Sequence, residues 1–130
     1  MTYSPKEKSA WSIVKRAQSF AHAARGIRLF FATTPNAWIH TFIAGVVVVA
    51  GFYFQVSFSE WLVLVLTMGF VLVIEILNTA VEIDMNLTSP DFHPYARDTK
   101  DVAAGAVLVA AFISIIVGLI IFLPKIFYML

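Results

Sequence analysis

The sequence predicts an all-α integral membrane protein: an N-terminal amphipathic surface helix followed by three transmembrane helices. Three observations predict it. Of 130 residues, 60% are apolar and only 13% are charged, against roughly 45–50% and 25% in soluble domains. A chain this short buries too small a fraction of its surface to hide that much apolar area from water. Its apolar runs are long enough for spans of about 20 residues. A net charge of +1 argues against a nucleic-acid partner. The absence of cysteine excludes disulfides, thiolate metal sites and cysteine nucleophiles.

The first element runs from Ser9 to Phe31. Trp11, Val14, Phe20, Ala21, Ala24, Ile27 and Phe31 recur at helical steps, with Lys15, Arg16, His22, Arg25 and Arg28 largely between them. That pattern fits a helix lying in the membrane interface. A soluble helix packed on a partner is the alternative, and the spans that follow disfavour it. The late start of the first long apolar run argues against a cleaved signal peptide. The first span, Ala37 to Phe54, has His40 and Thr41 near its start and a Val-rich centre. Gln55 to Glu60 forms a tight hairpin. The second span runs from Trp61 to about Val81 and the third from Val102 to Leu123, where Ser114 is the one conventional polar residue. Residues 1–33 form the tail and interfacial helix, and residues 34–130 the transmembrane domain.

Six of the nine basic residues, Lys6, Lys8, Lys15, Arg16, Arg25 and Arg28, precede the first span. The first loop has none; the second, Asn86 to Thr99, is followed at once by Lys100 and carries Arg97. The positive-inside rule then places the N-terminus and second loop in the cytoplasm and the C-terminus outside.

Glu75, Asn78 and Glu82 are spaced i, i+3, i+7 and share one helix face. A carboxylate at membrane depth is costly and marks a functional site. Such a face offers a general base or a ligand for a hard cation such as Mg²⁺. An interhelical polar clasp is the bland alternative, but the spans hold no Arg or Lys to complete it. Lys100 can meet phosphate as a point charge, and Asp101 suits a helix N-terminus. His93 precedes Pro94, where a turn role also fits. No His pair has zinc-site spacing, and Walker A and protein-kinase glycine loops are absent. Gly45, Gly51, Gly69, Gly105 and Gly118 read as positions of close helix packing.

Together these features resemble the small prokaryotic lipid kinases, the diacylglycerol kinase and undecaprenol kinase family, from about Ser19 to Ile126. The strongest segments are Glu75-Ile-Leu-Asn-Thr-Ala-Val-Glu82 and Lys100-Asp-Val-Ala-Ala-Gly-Ala-Val-Leu108. Weaker support comes from His22 to Ile27, Asn36, Ile39-His40, Glu60-Trp61 and Gly118 to Lys125. Ser89 to Pro94 and the C-terminal segment look more like the undecaprenol kinase branch.

The resemblance implies a homotrimer of the bacterial inner or plasma membrane, with its active site between subunits at the cytoplasmic surface. It implies ATP- and Mg²⁺-dependent phosphorylation of a lipid alcohol, undecaprenol first and diacylglycerol as the alternative. By motif, Glu75 is the catalytic base and Asn78 supports it. Glu82 is a metal ligand. Lys100, Asp101, Asp91 and His93 contact nucleotide. Lys15 and His22 meet nucleotide or lipid headgroup. Two positions depart from the pattern: Thr34 stands where the family has a second metal-binding Glu, and Asn86 where it favours Asp. Both changes remove a carboxylate charge, which weakens metal binding. From the residues alone, two other classes stay open: a small proton or cation transporter subunit using Glu75 and Glu82, and a non-catalytic lipid-binding homologue.

Overall fold

The computed structural model describes residues 13–130, all of its regular structure helical. Lys6, Lys8, Ser9 and Trp11 lie outside the described residues. Four helices follow in order: α1 (Ile13–Thr33), α2 (Pro35–Tyr53), α3 (Phe58–Thr88) and α4 (Pro94–Met129). Contacts divide the chain between Thr33 and Thr34.

α1 carries Lys15, Arg16, His22, Arg25 and Arg28, all exposed. His22, Arg25 and Arg28 line one shallow depression with Ala21, Leu29 and Ala32. Phe20 and Ile27 are exposed as well. α1 ends where Thr34 precedes Pro35, because a residue before proline is pushed out of the helical region. Thr34 is extended, with φ −115° and ψ 102°, and Pro35 opens α2, where its missing N–H costs nothing.

In the second unit, α2, α3 and α4 are successive antiparallel helices. α3 and α4 share the larger contact. Glu60 at the start of α3 meets Lys125 at the end of α4, and Asn86 near the end of α3 meets Lys100 at the start of α4. These three are the helices long and apolar enough to cross a membrane among the described residues. α3 has 31 residues and α4 has 36. At 1.5 Å per residue they reach about 46 and 54 Å, well beyond a hydrocarbon core of about 30 Å. Both therefore continue past the apolar runs that mark the spans. The polar stretch expected as a loop from Asn86 to Thr99 is mostly helix, and the connection shrinks to Ser89–His93. Hydropathy marks where lipid ends, and a helix needs only its own hydrogen bonds to go on.

The α2–α3 hairpin is closed by local chemistry. Gln55 has φ 51°, its N–H donates to the Phe52 carbonyl, and the Val56 N–H donates to the Gly51 carbonyl. This is a Schellman ending with Gln55 in the left-handed position glycine usually takes. Ser57 and Glu60 then form a reciprocal capping box, the Ser57 N–H donating to Glu60 Oε2 at 2.8 Å and the Glu60 N–H to Ser57 Oγ at 3.2 Å. Val56, Leu64 and Ile121 are buried beside this turn, with Phe54, Trp61 and Phe122 packed against them.

Most other large apolar side chains of these helices are exposed in the single chain, Phe42, Val49, Leu66, Phe70, Val102 and Ile120 among them. Such surfaces suit lipid or another helix. The expected close packing of glycine is found at Gly51, where a Cβ would lie 2.5 Å from the Trp61 ring. At Gly45, Gly69, Gly105 and Gly118 a Cβ would meet nothing within 4 Å among the described residues.

Candidate active site

The site begins with a buried carboxylate. Glu75 is 0% exposed in the middle of α3. Its Oε1 lies 3.0 Å from Nε2 of His40 on α2, while its Oε2 is buried and meets no partner among the described residues. Asn78, one turn on, leaves its Oδ1 buried and equally unpartnered. Asn78 makes no direct hydrogen bond to the Glu75 carboxylate. Two buried acceptors without donors are expensive, at roughly 1–3 kcal/mol each. Their chemistry asks for a donor such as a hydroxyl.

α2 is brought onto α3 by a second polar rung. Thr34 Oγ1 and Thr79 Oγ1 lie 3.0 Å apart. Ala37, between Thr34 and His40, is fully buried, and its small side chain allows the close approach. Thr34, the position where the motif expects a second metal carboxylate, is the N-cap residue of α2, but its hydroxyl is turned to Thr79 and makes no capping hydrogen bond.

A second cluster forms where α3 gives way to α4. Lys100 Nζ donates to Asn86 Oδ1 at 2.6 Å, tying the two helices. Asn86, where the motif favours Asp, thus offers an amide oxygen that holds the lysine. A cavity of about 280 Å³ is lined by Asn86, Asp91, His93, Arg97, Lys100 and Asp101, among others. It gathers four residues that the sequence expected to contact nucleotide. His93 also caps α4, its Nδ1 accepting from the Tyr95 N–H at 3.2 Å. Arg97 pairs with Asp98 at 3.0 Å and lies 6.0 Å from the Phe92 ring centre. The cations and backbone turn here suit a phosphate-bearing ligand.

Glu82 is exposed on α3, seven residues beyond Glu75 and one turn before Asn86. No group of three His, Asp or Glu side chains that could hold a metal exists among the described residues. One exposed carboxylate fits a Mg²⁺ that arrives with phosphate oxygens, the usual habit of that ion. It does not fit a resident all-protein cage. Lys15 and His22 are exposed on α1.

His40 is the residue whose place the sequence did not reveal. It appears there as a polar interruption near the start of a span and as part of an Ile-His motif. Nothing local links it to Glu75, which lies 35 residues away.

Comparison with known proteins identifies the family. A family model described as prokaryotic diacylglycerol kinase matches residues 21–122. The undecaprenol kinase of Bacillus subtilis (strain 168) is 44% identical over 108 residues, covering 83% of this chain and 88% of that protein. The diacylglycerol kinase of Synechocystis sp. (strain ATCC 27184 / PCC 6803 / Kazusa) is 39% identical over 122 residues, covering 92% of this chain and 70% of that one. The diacylglycerol kinase of Helicobacter pylori (strain J99 / ATCC 700824) is 36% identical over 62 residues, 48% of each chain. With a buried carboxylate, a cationic loop cavity and three helices fit to cross a membrane, the chain belongs to the prokaryotic diacylglycerol kinase family of membrane lipid kinases.

Proposed function

We propose that the protein phosphorylates a membrane lipid alcohol from ATP, with undecaprenol as the foremost substrate. The observation that carries this is Glu75: a buried carboxylate with one oxygen held and the other without a donor. Undecaprenol is favoured over diacylglycerol because the relative named undecaprenol kinase has 44% identity and most of both chains covered.

In this reading Glu75 Oε2 accepts the proton of the lipid hydroxyl, and Asn78 Oδ1 helps orient that hydroxyl. Lys100, with Asp101, Asp91 and His93, holds the nucleotide in the cavity between α3 and α4. Lys15 and His22 on the interfacial helix meet nucleotide or headgroup. Glu82 would hold a Mg²⁺ ion, with the Thr34 hydroxyl no substitute for a second carboxylate. That ion would supply neutralisation of phosphate charge. Positioning and charge stabilisation supply most of such catalysis, so this small polar set is sufficient. The protein sits in the inner or plasma membrane with the N-terminus and the α3–α4 connection cytoplasmic and the C-terminus outside. Residues 1–33 serve as the interfacial segment and 34–130 as the transmembrane kinase domain. The exposed apolar faces and open glycines of α2–α4 support assembly as a homotrimer.

The test is transfer of labelled γ-phosphate to a panel of lipid alcohols by the purified protein in detergent. Labelled undecaprenyl phosphate is the expected product. Absence of any labelled lipid overturns the proposal.

A further inference from the structure

His40 has no role in the mechanism above, yet it is the one described group bonded to the Glu75 carboxylate. A buried ionised carboxylate needs donors. An ionised carboxylate, the form the proposed base needs, only accepts, so in that form the 3.0 Å contact is a His40 Nε2–H donating to Oε1. That bond fixes the carboxylate plane and leaves Oε2 as the open acceptor. The contact depends on the close approach of α2 and α3 made by buried Ala37 and by the Thr34–Thr79 hydroxyl pair. The His40 side chain is 20% exposed, against 1% for Glu75. It lines an apolar groove of about 310 Å³ between the three helices, whose walls include Val47, Leu64, Met68 and Val117. His40 is thus bordered by apolar space of the kind a lipid chain occupies.

We propose that His40 is a positioning residue for the phosphoryl transfer, holding Glu75 Oε1 through its Nε2–H so that Oε2 faces the lipid hydroxyl. This rests on the lipid-kinase reading. In the step, the hydroxyl proton goes to Glu75 Oε2 and the lipid oxygen–phosphorus bond forms. The bond from the γ-phosphorus to its bridging oxygen breaks, and the electron pair leaves with ADP. His40 keeps its Nε2 proton throughout.

The test compares wild type, His40→Leu and His40→Gln in the full chain, with kcat and both KM values measured separately. His40→Leu should lower kcat by about 10²-fold, the scale set by a misplaced catalytic group, with KM for lipid and ATP within about twofold. His40→Gln places an amide N–H near the lost Nε2–H and should recover kcat to within about fivefold. In parallel, ¹⁵N resonances of labelled histidine should show the His40 proton on Nε2 in wild type. Wild-type kcat in His40→Leu, or a His40→Gln variant as impaired as His40→Leu, overturns the positioning role while the kinase reading stands. A proton on Nδ1 alone overturns it also, even where His40→Leu fails to fold. A wild type that phosphorylates no lipid alcohol overturns the kinase reading and this role with it.

Discussion

The two ends of the three-helix unit are built to different rules. At the α2–α3 hairpin, polar groups find partners close by. Ser57 and Glu60 cap each other, Glu60 also meets Lys125 at 3.1 Å, and the Trp61 ring covers Gly51. Toward the other end, Glu75 Oε2 and Asn78 Oδ1 are buried without donors. Glu82 and Asp101 stand exposed, and Lys100 is held by a neutral amide. An end with satisfied groups serves the fold. An end with open acceptors and loosely held charges is arranged for something that arrives from outside.

The contrast can be broken by substitutions that fall on one end alone. Of three such substitutions the largest effect belongs to Lys100. Lys100→Ala should raise KM for ATP by about 10- to 100-fold, the range of a lost charge-assisted hydrogen bond, with KM for lipid unchanged. Steady-state kinetics in which lipid KM rises instead would move Lys100 out of the nucleotide site. Next is Gly51→Val, which drives a side chain into the Trp61 ring. Overpacking of this kind costs about 1–3 kcal/mol. Thermal unfolding in detergent should show the loss, while kcat per folded molecule stays at the wild-type value. A stability unchanged from wild type would deny the close approach at Gly51. Smallest is Ser57→Ala, which removes one half of the capping box for about 1 kcal/mol. It should again leave kinetics untouched. A change in kcat from either hairpin variant would mean that the two ends are coupled.

The sequence made the three spans legible because lipid demands long apolar runs. It did not show where the helices end, because nothing in hydropathy stops a helix at the membrane surface. α3 runs on through Glu82 and Asn86, and α4 starts at Pro94, well before the first apolar residue of its span. The shared face of Glu75, Asn78 and Glu82 was legible because it lies within one helix and follows its period. The His40–Glu75 and Thr34–Thr79 pairs were not, because each joins different helices and depends on their register and spacing. The glycines were legible as small positions but not by partner: among the described residues only Gly51 would bring a Cβ against a neighbour, and sequence does not say which face of a span its own chain covers.

The account rests most directly on Glu75 as the group that takes the lipid proton. The decisive measurement is transfer of labelled phosphate from ATP to undecaprenol by wild type and Glu75→Gln, at equal thermal stability. The account predicts labelled undecaprenyl phosphate from wild type and a rate lower by about 10³-fold or more in the variant, toward the upper range for loss of a general base. Equal rates in the two proteins would contradict it.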